Sequence, residues 1–321
     1  WPVGPMLPTP GLARAVVDLV ERERPDVLLF GAALPLALMA GRVRSRVPVP
    51  VVAFTHGVEP SLARLPGVAA GLRAIARRAS ALTAVSAWAE GALRRAVGPA
   101  VRIRQLPSGV DPARFRPDVS GAAVRAALGL GDAPVVACVS RLVRRKGVDQ
   151  LIRALPGVRR ACPGARLLVV GDGLDRARLE RLARRCGVAS HVVFTGRVPH
   201  DAVPAHFAAG DVFAMPCRSR LASLENEGLG AVYLQAAAVA RPVIAGRSGG
   251  APEAVEDGRT GLVVDGRSLA AVEAAVCRLL RCRDEARAMG LAGAERVHRT
   301  MTWAHMGARL DGLLREVTSR P

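Results

Sequence analysis

Val135-Val136-Ala137-Cys138-Val139-Ser140-Arg141-Leu142-Val143-Arg144-Arg145-Lys146-Gly147 starts as an unbroken apolar run and ends as a basic loop closed by glycine. An apolar run without polar alternation describes a strand buried on both faces. A helical pattern, Val148 to Cys162, follows at once. The same strand-then-helix alternation repeats downstream: Ala165 to Val170 then Leu174 to Cys186, Val192 to Phe194 then Ala202 to Ala209, Asp211 to Met215 then Ala231 to Ala240. Strands Pro242 to Ala245 and Gly261 to Val264 follow, and the end is helical: Ser268 to Cys282, Arg283 to Arg299, Thr302 to Thr318. Strands alternating with helices predict an α/β fold with doubly wound parallel sheets.

Upstream the alternation is present once more. After a loop, Trp1 to Pro10, come helix Leu12 to Glu23, strand Asp26 to Phe30, a short helix Leu34 to Ala40 and strand Val49 to Thr55. Helix Gly67 to Ser80, strand Ala81 to Val85, helix Ala87 to Val97 and strand Val101 to Leu106 complete it. The Pro-, Gly- and Arg-rich stretch Asp111 to Asp132 is expected to link two domains. The expected organisation is an N-terminal domain over 1–118, a C-terminal domain over 119–300 and a terminal helix, 301–321, packing back on the first. A ligand cleft is expected between the two domains.

In such sheets ligands collect at the carboxyl ends of strands. Several candidates stand there. Arg141 and Lys146, five apart on a loop after a strand, can converge on one diphosphate; a solvated basic loop is the plain alternative. His56 ends the strand Val49 to Thr55; a structural histidine is the alternative. Glu227-Gly228-Leu229-Gly230-Ala231-Val232-Tyr233-Leu234-Gln235 places an acid and two glycines before an alanine-rich helix. A glycine-lined helix start offers free N–H groups and the positive dipole end to an anion. Gln235 lies roughly 12 Å beyond Glu227 along that axis. A ligand with phosphate in the middle and polar groups at both ends, such as a nucleotide sugar, suits that span. Ser248-Gly249-Gly250-Ala251-Pro252-Glu253 adds a glycine turn before a proline that reads as a helix start.

The formal net charge is +19, and Lys146 is the only lysine in the chain. A wholesale preference for arginine is a compositional habit. The one position that kept a compact ammonium lies in the candidate phosphate loop, where the two cations are not interchangeable. A basic surplus admits nucleic acid or an anionic membrane. No helix-turn-helix pattern, zinc-finger spacing or aromatic-basic motif supports nucleic acid. Cys138, Cys162, Cys186, Cys217, Cys277 and Cys282 form no C-x-x-C pair and read as small buried residues of a reducing compartment. No Asp-x-Asp pair suggests a divalent metal.

Taken in order, several motifs resemble the retaining glycosyltransferases of family 4, above all their GDP-mannose-dependent phosphatidylinositol mannosyltransferases. They are Ser140 to Gly147, Gly171-Asp172-Gly173, Asp211 to Arg218, Glu227 to Gly230, Arg241 to Gly246 and Ser248 to Glu253. Met6 to Pro10, Ala37 to Gly41, Thr55 to Glu59 and Leu106 to Asp111 extend the likeness over almost the whole chain. The resemblance implies a GT-B fold of two Rossmann-like domains. It implies transfer of a hexose, mannose from GDP-mannose, to a lipid-linked inositol mannoside, with retention and without a metal or cofactor. It implies Arg141 and Lys146 on the donor diphosphate, Glu227 on the sugar hydroxyls and His56 near the reacting carbon. Val198, after Arg197, would hold the base; Gly230, Ala231 and Val232 would give amides to phosphate, with Gly171, Ser248, Gly249, Gly250 and Glu253 lining the donor. It implies a nucleotide sugar and a lipid or glycolipid acceptor as partners, no nucleic acid, and a cytoplasmic place peripheral to the inner face of the plasma membrane. The basic helix Leu72 to Arg78 would rest on anionic lipid.

Three departures qualify the match. Gln235 stands where the family has the second Glu of Glu-x7-Glu, the ribose ligand, so the bond to ribose loses its charge. Leu221-Ala222-Ser223-Leu224-Glu225-Asn226 replaces a glycine-rich run. The family's opening strand, glycine loop and helix have no counterpart, so the N-terminal domain is expected to be incomplete. Another nucleotide sugar or acceptor, and a binding protein without turnover, remain the alternatives.

Overall fold

A computed structural model describes residues 7–319; of the expected N-terminal loop, Trp1 to Met6 lie outside the described residues. By its own contacts the chain forms two compact units. One holds the chain up to Pro107, Ser223–Gly228 and the chain from Met306 onward; the other holds Ser108–Ala222 and Leu229–His305.

The first unit contains α1 (Pro10–Glu23), β1 (Leu28–Phe30), α2 (Ala40–Arg44), β2 (Val51–Phe54), α3 (Val58–Leu62), α4 (Pro66–Ala76), β3 (Ala81–Ala84), α5 (Ala87–Val97) and β4 (Ile103–Gln105). Its four strands are parallel and lie in chain order, β1-β2-β3-β4. Thr9 accepts a hydrogen bond from the Leu12 N–H and opens α1; Ser86 does the same for α5 through Ala89. The expected single helix Leu34 to Ala40 is instead a 3₁₀ turn, Leu36–Met39, that runs into α2. The short α3 escaped the sequence reading because Pro60 sits inside it, a place proline tolerates only in a first turn. Helix α4 stops at Ala76 rather than Ser80, burying Ala69, Leu72 and Ile75 and leaving Arg73 and Arg77 exposed.

The second unit contains α6 (Ala122–Ala127), β5 (Val135–Val139), α7 (Val148–Ala161), β6 (Arg166–Val170), α8 (Arg176–Arg185), β7 (Val192–Gly196), α9 (Val203–Ala208), β8 (Val212–Met215), α10 (Ala231–Ala238), β9 (Val243–Gly246), β10 (Gly261–Val264), α11 (Leu269–Arg281) and α12 (Arg283–Thr300). Its sheet is parallel, in the order β10-β9-β8-β5-β6-β7. All five residues of β5 are buried, as its unbroken apolar run requires. The strand order reverses between β5 and β8, the switch point where ligands bind in doubly wound sheets.

Asp111 to Asp132, expected as a linker, is a built part of this unit. Phe115 is buried edge-on against Phe207, ring centroids 6.2 Å apart. A Cβ on Gly121 would collide with the Ala209 backbone, and Arg125 donates to the carbonyls of Ala209 and Ala133. An aromatic anchor and two carbonyl clamps hold a segment whose composition reads as loose. The last helix, α13 (Trp303–Thr318), supplies Leu313 and Val317 to a small core with Val52 and Ala81 of the first unit.

The cysteines divide. Cys138, Cys162 and Cys217 are buried as expected; Cys186 and Cys277 are partly exposed and Cys282 is exposed, because it stands at the joint between α11 and α12. Burial pushes the Cys138 thiol up to about 12, so at neutral pH it stays protonated and unreactive. Native protein treated with iodoacetamide near pH 8 is expected to carry the label on Cys282 first and none on Cys138. Peptide mass spectrometry checks this, and labelled Cys138 in the folded protein would contradict the buried strand.

Candidate functional site

In the second unit, the loops after five successive strands, β5 to β9, share the carboxyl edge of one sheet, and the residues expected to line the donor fall on or just after them. The loop after β5 carries Arg141, exposed, and Lys146, buried, at the end of a 3₁₀ turn Arg144–Lys146. Gly147 ends that turn at φ +79°, and a Cβ there would collide with the carbonyl oxygen of Pro216 after β8. Only glycine allows both the left-handed backbone and the close approach. The turn is thereby pinned beside the switch point.

Gly171, after β6, has φ +122° and lies against the Ser140 carbonyl. Leu142 N–H donates to Asp172 O at 2.9 Å, so the β5 and β6 loops form one body. The Gly171 N–H donates to Gly196 O at 2.8 Å and ties in β7, which delivers Arg197, exposed, and Val198, half-buried. After β9, Ser248 is buried with its Oγ 3.2 Å from Ser219 Oγ, and Gly249 has φ +56°. The expected helix start at Pro252 is only one 3₁₀ turn, Ala251–Ala254, which carries Glu253; Arg296 takes the carbonyls of Glu253 and Ala254 at 3.0 and 2.9 Å. The turn is too short to present a helix dipole.

After β8 comes α10. Gly230 opens it at φ +84° with no side chain to cap it, so the first-turn N–H groups, those of Ala231 and Val232 among them, point out of the helix end. Tyr233 Oη donates to Met215 O at 2.7 Å and is 3.0 Å from Cys217 Sγ, which fixes that end against β8. Ala231, Val232 and Gln235 are the half-exposed positions of an otherwise buried start. They lie at i, i+1 and i+4, so Gln235 shares the open face with the first turn.

Sequence reasoning missed the support beneath this edge. Asp149, at the start of α7, is buried and accepts from Arg218 Nη2 at 2.9 and 2.8 Å. Arg218 N–H in turn donates to Arg145 O at 2.9 Å. The pair clamps the β8 loop to the turn that carries Lys146. An acid two residues past Lys146-Gly147 was the only local signal, and its partner lies 69 residues away in the chain.

In the first unit, His56 follows β2. Its Nε2 is 2.7 Å from Gly31 O after β1, so Nε2 carries hydrogen and donates. The His56 N–H donates to Glu59 Oε2 at 3.0 Å, which ties the loop after β2 to the first turn of α3. Glu59 was unread; its three-residue spacing from His56 was the available signal. Glu227, buried, belongs to this unit through the segment Ser223–Gly228. Ser86 Oγ donates to Gly228 O at 2.7 Å, and a Cβ on Gly57 would stand 3.1 Å from Gly228 Cα. Two glycines in contact thus bring His56 and Glu227, each the residue before its glycine, to neighbouring backbone positions.

The comparisons with known proteins agree with one another. Residues 122–296 match the family model "Glycosyl transferases group 1", and residues 2–114 match "Glycosyltransferase Family 4". The chain is 48% identical, over 97% of its length and 81% of the relative's, to a GDP-mannose-dependent alpha-(1-6)-phosphatidylinositol monomannoside mannosyltransferase of Mycobacterium tuberculosis. It is 43% identical, over 98% and 82%, to a GDP-mannose-dependent monoacylated alpha-(1-6)-phosphatidylinositol monomannoside mannosyltransferase of Corynebacterium glutamicum. Among solved structures it is similar to a sucrose-phosphate synthase of Thermosynechococcus elongatus, with TM-score 0.83, 25% identity and coverage of 97% and 78%. Anabaena HepE in complex with UDP gives TM-score 0.83 at 21% identity over 95% and 82%, a likeness of fold alone.

Proposed function

This chain belongs to the group 1 glycosyltransferases, with a family 4 N-terminal part, and from that premise we propose that it transfers mannose from GDP-mannose to a phosphatidylinositol monomannoside. The observation that carries the proposal is the glycine-pinned edge of the second unit, where Arg141, Lys146 and the α10 amides share one switch point. Coverage of most of the two mannosyltransferases supports the donor and acceptor.

In this reading the C1–O bond to the β-phosphate breaks while C1 bonds to the acceptor hydroxyl on the same face. The hydroxyl proton passes to the departing phosphate oxygen, leaving GDP and the mannosylated lipid. Arg141, Lys146 and the N–H groups of Ala231 and Val232 take up charge as it develops on the diphosphate, where electrostatic help is worth most. Gly171, Ser248, Gly249, Gly250 and Glu253 line the donor, and Arg197 and Val198 hold its base through the backbone. Glu227 accepts from sugar hydroxyls. His56 sits near the reacting carbon with its ring direction set by Gly31 and its backbone by Glu59. The chemistry is written without a metal. Among the described residues no helix is long and apolar enough to cross a membrane. The exposed arginines of α4, with Arg78 beyond its end, suit peripheral contact with anionic lipid from the cytoplasmic side.

The deciding experiment incubates the protein with phosphatidylinositol monomannoside and, in turn, GDP-mannose, UDP-glucose and ADP-glucose. GDP release with a dimannosylated lipid only in the first mixture supports the proposal. Turnover with another donor, or tight GDP-mannose binding without product, replaces it. Restoring charge with Gln235→Glu is expected to lower the donor KM about 5-fold, the difference of roughly 1 kcal/mol between a charged and a neutral hydrogen bond. Steady-state kinetics reads it, and an unchanged KM would remove Gln235 from the ribose.

A further inference from the structure

The second unit has a cavity of about 410 Å³ at the opposite edge of its sheet, where Asp211 and Pro242 lead into β8 and β9. Its cationic side is Arg241, before β9, with Arg283 and Arg287 from α12. The last two are four residues apart and share one helix face. Leu279 and Leu291 contribute to an apolar side. Asp211 is the acid in the wall, and it is already engaged: its Oδ2 accepts from the Val135 N–H at 2.7 Å and stands 3.6 Å from Arg125 Nη1.

Arg241 is the unusual member. Its Nε is buried and has no hydrogen-bond partner. Burial holds its guanidinium below the ordinary arginine range, opposed by Asp211 and reinforced by Arg125. A buried N–H left unmade is costly. Among the described residues Asp211, already shared with the Val135 N–H and Arg125, is the one carboxylate in a wall that carries three arginines. An anion in the cavity would add counter-charge where three arginines face one carboxylate.

We propose that this cavity is a second ligand site, for a small phosphomonoester whose anion meets Arg241, Arg283 and Arg287 and whose apolar body lies on Leu279 and Leu291. A dianion matches a surplus of arginine, and a guanidinium fork matches phosphate geometry. The volume is that of a small-molecule pocket. The four residues of β8 separate this edge from the loops that carry Arg141 and Lys146 by roughly 13 Å. A ligand here therefore does not compete with a nucleotide there, and the site stands whether or not the donor is GDP-mannose.

The test is calorimetric titration of the full chain with n-butyl phosphate and with inorganic phosphate, each with and without saturating GDP. Saturable binding of butyl phosphate, tighter than inorganic phosphate and unaffected by GDP, is expected. Arg241→Met should weaken it about 10-fold or more and the exposed Arg287→Gln about 3-fold, with the separate GDP titration unchanged in both. Without ligand, Arg241→Met should melt at or above the wild-type temperature, since it removes a buried N–H that has no partner. Pelleting with phosphatidylcholine vesicles containing phosphatidic acid, lost in Arg241→Met, would make a lipid headgroup the source; pelleting that the variant leaves unchanged would make it a free phosphomonoester. Absence of saturable butyl phosphate binding, competition by GDP, or equal affinity in both variants overturns the site.

Discussion

Lys146→Ala is expected to lower kcat for GDP release from GDP-mannose about 10²- to 10³-fold while the protein keeps its fold. Removing one preplaced donor from a site of developing charge typically has that size. The position is built for a fixed ammonium. Lys146 is buried at the end of a 3₁₀ turn, and the next residue is a glycine that fits only because it has no side chain against Pro216. In the proposed reaction a cation held this way would need no reorganisation as the diphosphate leaves. Lys146→Arg is expected to recover little of the loss. A guanidinium is larger and planar, and the packed turn leaves it no alternative path. The composition points the same way, since every other non-histidine basic residue in the chain is arginine. Single-turnover release of GDP, with a thermal melt of each variant as control, separates chemistry from folding. A Lys146→Ala enzyme within about 3-fold of wild type would take Lys146 out of the reaction.

The strands were legible because parallel sheets write themselves as apolar runs, and β5, β6 and β8 are buried along almost their whole length. The turns of the edge loops were legible because glycine is informative where a backbone must turn left-handed, as at Gly147, Gly171, Gly230 and Gly249. The order β10-β9-β8-β5-β6-β7 was not, since pairing depends on contacts that no local pattern encodes. Asp149 and Arg218 were missed for the same reason: each reads as a surface residue until its partner appears. The segment before Glu227 shows the reverse. Its lack of glycine was legible as a departure, yet Leu221, Ala222 and Ser223 all hold positive φ, at 50°, 50° and 67°. The backbone keeps a conformation that glycine would favour while the side chains make it costly. Composition misled at Asp111 to Asp132, where proline and glycine suggested slack and one phenylalanine supplies the anchor.

Arg218→Ala is expected to destabilise the second unit by about 3 kcal/mol, or roughly 6–12 °C in Tm. The Arg218 and Asp149 side chains are only 16% and 6% exposed, so the charges are shielded from water. Removing the arginine leaves Asp149 with Arg178 Nη2 at 3.9 Å, too long to replace two bonds near 2.8 Å. The loss is then the desolvation of an uncompensated carboxylate, which exceeds the net worth of the pair. That predicts strong coupling. Arg218→Met with Asp149→Asn together should be markedly more stable than Arg218→Ala alone, because no buried charge is stranded. Activity should separate the two effects. The pair joins the β8 loop to the turn carrying Lys146, so the double variant, though folded, is expected to bind donor less tightly through a loosened turn. Urea denaturation of the singles and the double forms the cycle. A loss under about 1 kcal/mol in Arg218→Ala, or strictly additive effects, would show that the clamp is not what holds the phosphate loop in place.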